Sequence, residues 1–111
     1  VTEPQPLELD VEHSGAALVV RVAGEIDLAT APEFEAFLRA QLARTRTVLM
    51  IELADVTYLG SAGLAVLIAV RAECERRDVD LVFAECSFVV LRAFELSGLT
   101  GVFLRGETAT G

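Results

Sequence analysis

An α/β fold is predicted for this chain: one domain with a mixed, mostly parallel sheet of about four to five strands and about three helices packed largely on one face. Three observations predict it. Segments of strand periodicity alternate with segments of helical periodicity in the order β-β-α-β-α-β-α. The 111 residues suffice for one hydrophobic core, since a second would need roughly 100 more. No linker, repeat or low-complexity tract interrupts the pattern, so residues 1–111 are read as a single domain with its core over about 7–104 and flexible tails at 1–6 and 106–111.

Each element has its own warrant. Leu7, Leu9 and Val11 alternate with Glu8, Asp10 and Glu12, the pattern of a strand with one buried face. His13-Ser14-Gly15-Ala16 reads as a hairpin turn, and a second strand follows from about Ala17 to Ala23. Its apolar run is nearly continuous, as in Thr47 to Leu53 and Asp80 to Ala84, which suits strands covered on both sides. Thr30-Ala31-Pro32-Glu33 opens a helix, with Thr30 as N-cap, Pro32 in the first turn and Glu33 placed for a capping box. Phe34, Phe37, Leu38 and Leu42 share one face of this helix, which should end near Arg44. A second helix is expected from about Ser61 to Arg77. A third runs from Ser87, its N-cap, to Ser97, where Gly98 suits the left-handed C-cap and Leu99 its apolar contact. Val102 to Leu104 is expected to add a short last strand.

Composition narrows the function. Apolar residues make up 53% and charged residues 23%, which excludes intrinsic disorder. Net charge is −8, with 17 acidic residues against 9 basic ones, all of them Arg. Such a chain lacks the electrostatic attraction that supplies most non-specific affinity for nucleic acid or anionic lipid, so neither is expected as a partner. The longest uncharged apolar stretch, Ala62 to Val70, is about half the roughly 20 residues that span a bilayer. No membrane insertion and no secretory leader are expected. Two cysteines, Cys74 and Cys86, are too few for a disulfide scaffold or a structural zinc site, so a reduced cytoplasmic protein without metal or cofactor is the expectation.

In an open α/β sheet, functional side chains gather beyond the carboxyl ends of the parallel strands. The loops expected there are Gly24 to Ala29, Ala54 to Gly60 and Glu85 to Cys86, carrying Glu25, Asp27, Asp55, Thr57 and Tyr58. The second delivers Ser61 to a helix N-terminus, where free N–H groups and the helix dipole favour negative charge. Ser61 is therefore a candidate phosphate carrier, and equally a candidate N-cap in a tight Gly60-Ser61-Ala62-Gly63 turn. Asp27 either faces a partner or closes its own loop. Serine hydrolysis is excluded: His13, the single histidine, lies about 20 Å from Ser61 at 3.3 Å per strand residue, where a nucleophile and its base need about 3 Å. No glycine-rich phosphate loop, dinucleotide fingerprint or metal-ligand spacing is present. The second helix carries no polar side chain from Ala62 to Val70. Leu64, Leu67, Ile68 and Ala72 make one core stripe, leaving Ala62, Ala65, Val66, Ala69 and Val70 for a partner or for a fully covered central position.

Three segments together resemble the STAS domain family of bacterial anti-sigma factor antagonists. Gly24-Glu25-Ile26-Asp27, with Ala31 downstream, is similar to that family's Gly-Glu-Leu-Asp loop. Tyr58-Leu59-Gly60-Ser61-Ala62-Gly63-Leu64 resembles its phosphorylation loop, and Leu91 to Leu99 its last helix and glycine turn. The resemblance covers about residues 7 to 104. It implies a non-enzymatic protein that binds an anti-sigma factor, usually a serine kinase with its own ATP site, and so frees a sigma factor for transcription. In such systems the kinase ends the binding by phosphorylating the antagonist, and a phosphatase restores it.

Two departures bear on that switch. The family loop commonly reads Asp-Ser-Ser/Thr-Gly, whereas here Gly60 stands in place of Asp and Ala62 occupies the usual acceptor position. Ser61, one residue earlier, is then the expected phosphoacceptor, and Asp27 the best remaining loop carboxylate. The partner surface implied comprises Glu25 and Asp27 with Gly60, Ser61, Ala62, Gly63, Ala65, Val66 and Ala69. The alternatives are an antagonist without a phosphorylation brake, one with a redox brake through Cys74 and Cys86, or a STAS module of a stress-sensing or transporter-associated complex. A small nucleotide-binding or phosphotransfer protein is the weakest reading.

Overall fold

Four strands form one sheet in the order β1-β2-β3-β4, and the computed structural model describes residues 6–104. β1 (Glu8–Ser14) and β2 (Ala17–Ile26) make an antiparallel hairpin, while β3 (Val48–Leu59) and β4 (Asp80–Ala84) add in parallel. Between them run α1 (Ala31–Leu42) and α2 (Ser61–Arg76), followed by α3 (Phe88–Leu96) and α4 (Thr100–Phe103). The tails expected at 1–6 and 106–111 lie outside the described residues, apart from Pro6.

The core occupies one face of the sheet. Leu18, Val20 and Val22 of β2 point there with Leu49, Ile51 and Leu53 of β3 and Phe83 of β4. Phe34 and Leu38 of α1, Leu67 and Val70 of α2, and Val90 and Phe94 of α3 close over them. Coverage on both faces, expected from the apolar runs, does not occur. Alternate residues of β2 and β3, Arg21 and Glu52 among them, project from the opposite face, where Arg21 donates to Glu52 at 3.0 Å and pairs with Glu12, tying three strands. Val19 is 5% exposed on that face although it stands outside the core cluster. Its register partners Glu12 and Met50 flank it, so an apolar residue there is shielded by neighbouring strands and not by a helix.

Three expectations are corrected. Val102 to Leu104 is not a fifth strand. After Gly98 takes φ +76, Phe103 N–H donates back to Leu99 O at 2.9 Å, and the resulting turn of α4 sets the Phe103 ring 5.1 Å from Phe83 and 4.8 Å from Phe94. Three apolar residues are too few to reveal a period, and the aromatic cluster decides their conformation. The capping box at α1 is also absent. Thr30 precedes the helix, but its hydroxyl accepts from Asp27 N–H at 2.9 Å and donates to Glu25 O at 2.8 Å instead of capping. Finally, Ala54 to Leu59 continues β3, and Gly24 to Ile26 continues β2. Register shifts between Arg21 and Ala23 and between Gly24 and Glu25 let the strands stay paired while Val56 and Leu59 turn inward. The Ser87 cap holds: its Oγ accepts from Val90 N–H at 3.3 Å and donates to Val56 O at 2.8 Å, fastening α3 to the extended part of β3.

The approach of α2 to the sheet rests on Gly63. A Cβ there would lie 2.6 Å from Ile26 Cγ2 and 2.6 Å from Leu59 Cδ1, well inside contact distance. Gly63→Ala is therefore expected to destabilise the domain by about 1–2 kcal/mol, overpacking outweighing the roughly 1 kcal/mol gained in helix propensity. Gly101→Ala, where nothing lies within 4 Å, should cause no comparable loss. Urea unfolding with an unchanged midpoint for Gly63→Ala would refute this account of the packing.

Candidate functional site

β2 and β3 are parallel, so both carry their carboxyl ends to the same rim, and there the chain turns into α1 and α2. A backbone bond joins the two exits: Gly60 N–H donates to Ile26 O at 3.0 Å. Ser61 is thereby fixed as the first residue of α2. It does not cap that helix, because the extended N-cap residue is Gly60 and no side chain caps the first turn. The Ser61 side chain is exposed instead. Leu64 N–H is satisfied by Gly60 O at 3.1 Å, whereas the amides of the preceding turn have no intrahelical acceptor, as at any helix start. Their partial positive charge favours an anion carried at this point.

Asp27 closes its own loop. Its Oδ1 accepts from the Ala29 amide at 2.9 Å, the Thr30 amide at 3.0 Å and the Thr30 hydroxyl at 3.2 Å. Ala31 N–H then donates to Asp27 O at 2.8 Å to begin α1. The Thr30 amide, assisted by the Thr30 hydroxyl and the Ala29 amide, holds the Asp27 carboxyl below its ordinary value. Glu25, expected in a loop, is a half-buried residue of β2 in register with Tyr58.

The leftover face of α2 divides unequally. Val66 and Gly63 are buried, Ala62 and Ala69 are half-buried, and Ala65 is exposed. Val66, Ala62, Ala69 and Ala65 line, with Leu28 and Pro32, a shallow groove of about 350 Å³ between α1 and α2. Leu28 is 84% exposed and projects from the loop that Asp27 closes. A single apolar residue in a loop has no periodicity, so no pattern in the sequence could have picked it out. Val70, also left over in the pattern, belongs to the core.

On the other side of the first turn of α2 lies a second apolar groove, of about 410 Å³, whose walls include Tyr58, Leu64, Phe88, Val89, Arg92 and Leu96. The Tyr58 ring lies across Gly60, with its Cε2 and Oη each 3.0 Å from the place a Cβ would take. An Asp in place of Gly60 would press on that ring. Phe88 to Leu91 is a continuous apolar run at the start of α3, but only Val90, together with Phe94, is buried in the core.

The two cysteines are not brought together. Cys74 is buried near the end of α2, where its carbonyl accepts from Val79 N–H at 2.9 Å just before β4. Cys86 follows the far end of that five-residue strand. The strand alone puts roughly 16 Å between the two positions, where a disulfide needs Cα atoms within about 7 Å. A redox brake through this pair is therefore corrected to two thiols at opposite ends of the sheet, and neither is in a disulfide. Burial pushes the Cys74 thiol up to about 11, which keeps it protonated and unreactive. His13 pairs with Leu18 near the start of the sheet, and most of β3 separates it from Ser61. Among the described residues no group of three or more His, Cys, Asp or Glu could hold a metal ion.

The Asp27 loop makes a pH-dependent prediction. A carboxyl depressed in the folded state contributes stability that is complete above the ordinary value of 3.8 and is lost as pH falls from there through the folded value. The stability difference between wild type and Asp27→Asn should thus be constant above about pH 5 and shrink in acid. Chemical unfolding at a series of pH values reads this, and a difference that grows on acidification would contradict it.

Similarity to known proteins agrees with this geometry. A family model described as STAS domain matches residues 8–110. An anti-sigma-B factor antagonist of Listeria monocytogenes is 34% identical over 95 residues, covering 86% of this chain and 80% of the relative. The anti-sigma-F factor antagonist RsfB of Mycobacterium tuberculosis is 37% identical over 92 residues, covering 83% and 74%. The crystal structure of an anti-sigma factor antagonist from Mycobacterium paratuberculosis superposes with a TM-score of 0.79 at 32% identity, covering 93% of this chain and 87% of that one. The match extends across sheet, helices and the α2 rim alike, and this chain belongs to the STAS domain family.

Proposed function

We propose that this chain is an anti-sigma factor antagonist acting in the cytoplasm: it binds an anti-sigma factor of the serine kinase type and so releases a sigma factor, and phosphorylation of Ser61 ends the binding until a phosphatase reverses it. The names of its relatives support the class of function. The observation that carries the switch is the exposed Ser61 hydroxyl at the first position of α2, on the ridge between two apolar grooves. The chain acts as substrate and switch, and the chemistry is the kinase's.

Phosphorylation at that ridge has opposing effects within the domain and at its surface. A phosphoryl group adds about −1.5 to −2 charge at pH 7, which the α2 N-terminus accommodates without unfolding the domain. In a complex the same charge would lie beside apolar contact surface, where desolvation and repulsion by acidic neighbours oppose association. Partner contact is assigned to Leu28, Ala62, Ala65, Val66 and Ala69 of the α1–α2 groove, with Gly60 and Gly63 shaping the ridge. Glu25 and Asp27 act indirectly, holding the loop that presents Leu28.

The half-buried Ala62, with no hydroxyl at the family's usual acceptor position, supports the competing reading of an antagonist without a brake. The two separate cleanly. Incubation with the kinase-type anti-sigma factor of the same genome and ATP should add one phosphate to wild type by intact mass and none to Ser61→Ala. Ser61→Glu should weaken binding by roughly tenfold or more, since unpaired like charge at an interface costs several kcal/mol. Wild type that binds the kinase but gains no phosphate would establish the brake-free reading.

A further inference from the structure

Beyond the α1–α2 groove, we infer that the groove between Tyr58 and α3 is a second contact surface for the same partner, taking an apolar side chain flanked by a carboxylate that pairs with Arg92. This rests on the antagonist reading above. The groove is not explained by folding. Val90 and Phe94 supply the contribution of α3 to the core, yet Phe88 is 79% exposed, Leu96 73% and Tyr58 50%, all around one depression of about 410 Å³. Large apolar side chains gathered at one place on a monomer surface mark interaction sites, whereas scattered ones do not.

Position and charge identify the occupant. Leu59 and Leu64 line this groove and bracket Ser61 in the chain, so the first turn of α2 is a wall common to both grooves. A protein seated over Ser61 and α2 reaches α3 without a gap. On a chain of net charge −8, the nine residues lining the groove include no carboxylate and one cation, Arg92, which donates to Glu95 at 3.0 Å at the exposed rim. That pair is solvent-accessible and weak, so an incoming carboxylate can compete for the guanidinium. Aromatic residues and Arg are the types enriched where interfaces bury their anchors. A second copy of this chain is the poorer occupant, because each copy brings −8 and the two repel.

The test is calorimetric titration of the purified kinase-type anti-sigma factor with wild type, Leu96→Asp, Arg92→Glu and Val102→Ser. Circular dichroism verifies that each variant is folded. Leu96→Asp and Arg92→Glu should each weaken binding by about tenfold or more, the loss expected for an interface anchor. Val102→Ser, on α4, should stay within about twofold, the range of a residue outside the anchors. If both groove variants keep wild-type affinity while Ser61→Glu loses it, the groove inference is overturned and the antagonist reading stands. If wild type does not bind the anti-sigma factor, both fall together. A wild-type dimer in sedimentation that Leu96→Asp dissolves, with partner affinity unchanged, would assign the groove to self-association and overturn the inference.

Discussion

The close seat of α2 on the ends of β2 and β3 is the constraint on which the rest of the rim depends. Gly63 has no side chain, so Ile26 and Leu59 meet the helix backbone, and the Gly60 amide reaches the Ile26 carbonyl. Once these contacts form, the orientation of α2 leaves little freedom. Ser61 must project outward, Ala62 must turn toward α1, and Leu64 must face α3. The two grooves are consequences of one helix being held at one height above the sheet. A bulkier residue at position 63 would lift the first turn and alter both grooves together.

Much of this was legible in the sequence, and the parts that were not share a cause. The alternation of Leu7 to Glu12, the face of Phe34, Leu38 and Leu42, and the Ser87 cap each express a short-range rule, and each reappears in the fold. The extension of β3 through Ala54 to Leu59 was hidden, because exposed Ala54, Asp55, Thr57 and Tyr58 read as a loop. Its strand character comes from pairing with β2 across two register shifts, which is a long-range fact. The open face of the sheet was hidden for a similar reason. A run such as Leu18-Val19-Val20 is continuous whether a helix or adjoining strands shield the middle residue. Motif similarity identified the rim, and the apolar surplus of α2 marked one wall of the α1–α2 groove. Leu28 lies in a loop and showed no pattern, and the exposed apolar residues of α3 alternate with buried ones and with Arg92 and Glu95, so the sequence did not separate them from core.

Asp27 illustrates how a recognisable motif residue can act at one remove. Its carboxylate oxygen is committed to the amides of Ala29 and Thr30 and to the Thr30 hydroxyl, which in turn holds Glu25 and the Asp27 amide. The network fixes the exit of β2 and the start of α1 in one piece. What the fixation presents at the surface is an exposed Leu28 beside Pro32. Substitution at Asp27 then acts through the placement of neighbouring groups more than through the loss of a charge.

The edges of the sheet carry a different consequence. β1 turns Glu8, Asp10 and Glu12 outward along one edge, and β4 offers only five residues, beginning with Asp80, along the other. Charged or very short edge strands discourage another chain from adding to the sheet by backbone hydrogen bonding. A protein that displays apolar grooves is at risk of polymerising, and here that risk falls on side-chain contacts and not on the edges of the sheet. Strand-to-strand growth, the route toward fibres, is obstructed on both flanks. Free copies of the domain are therefore hindered from extending one another's sheets.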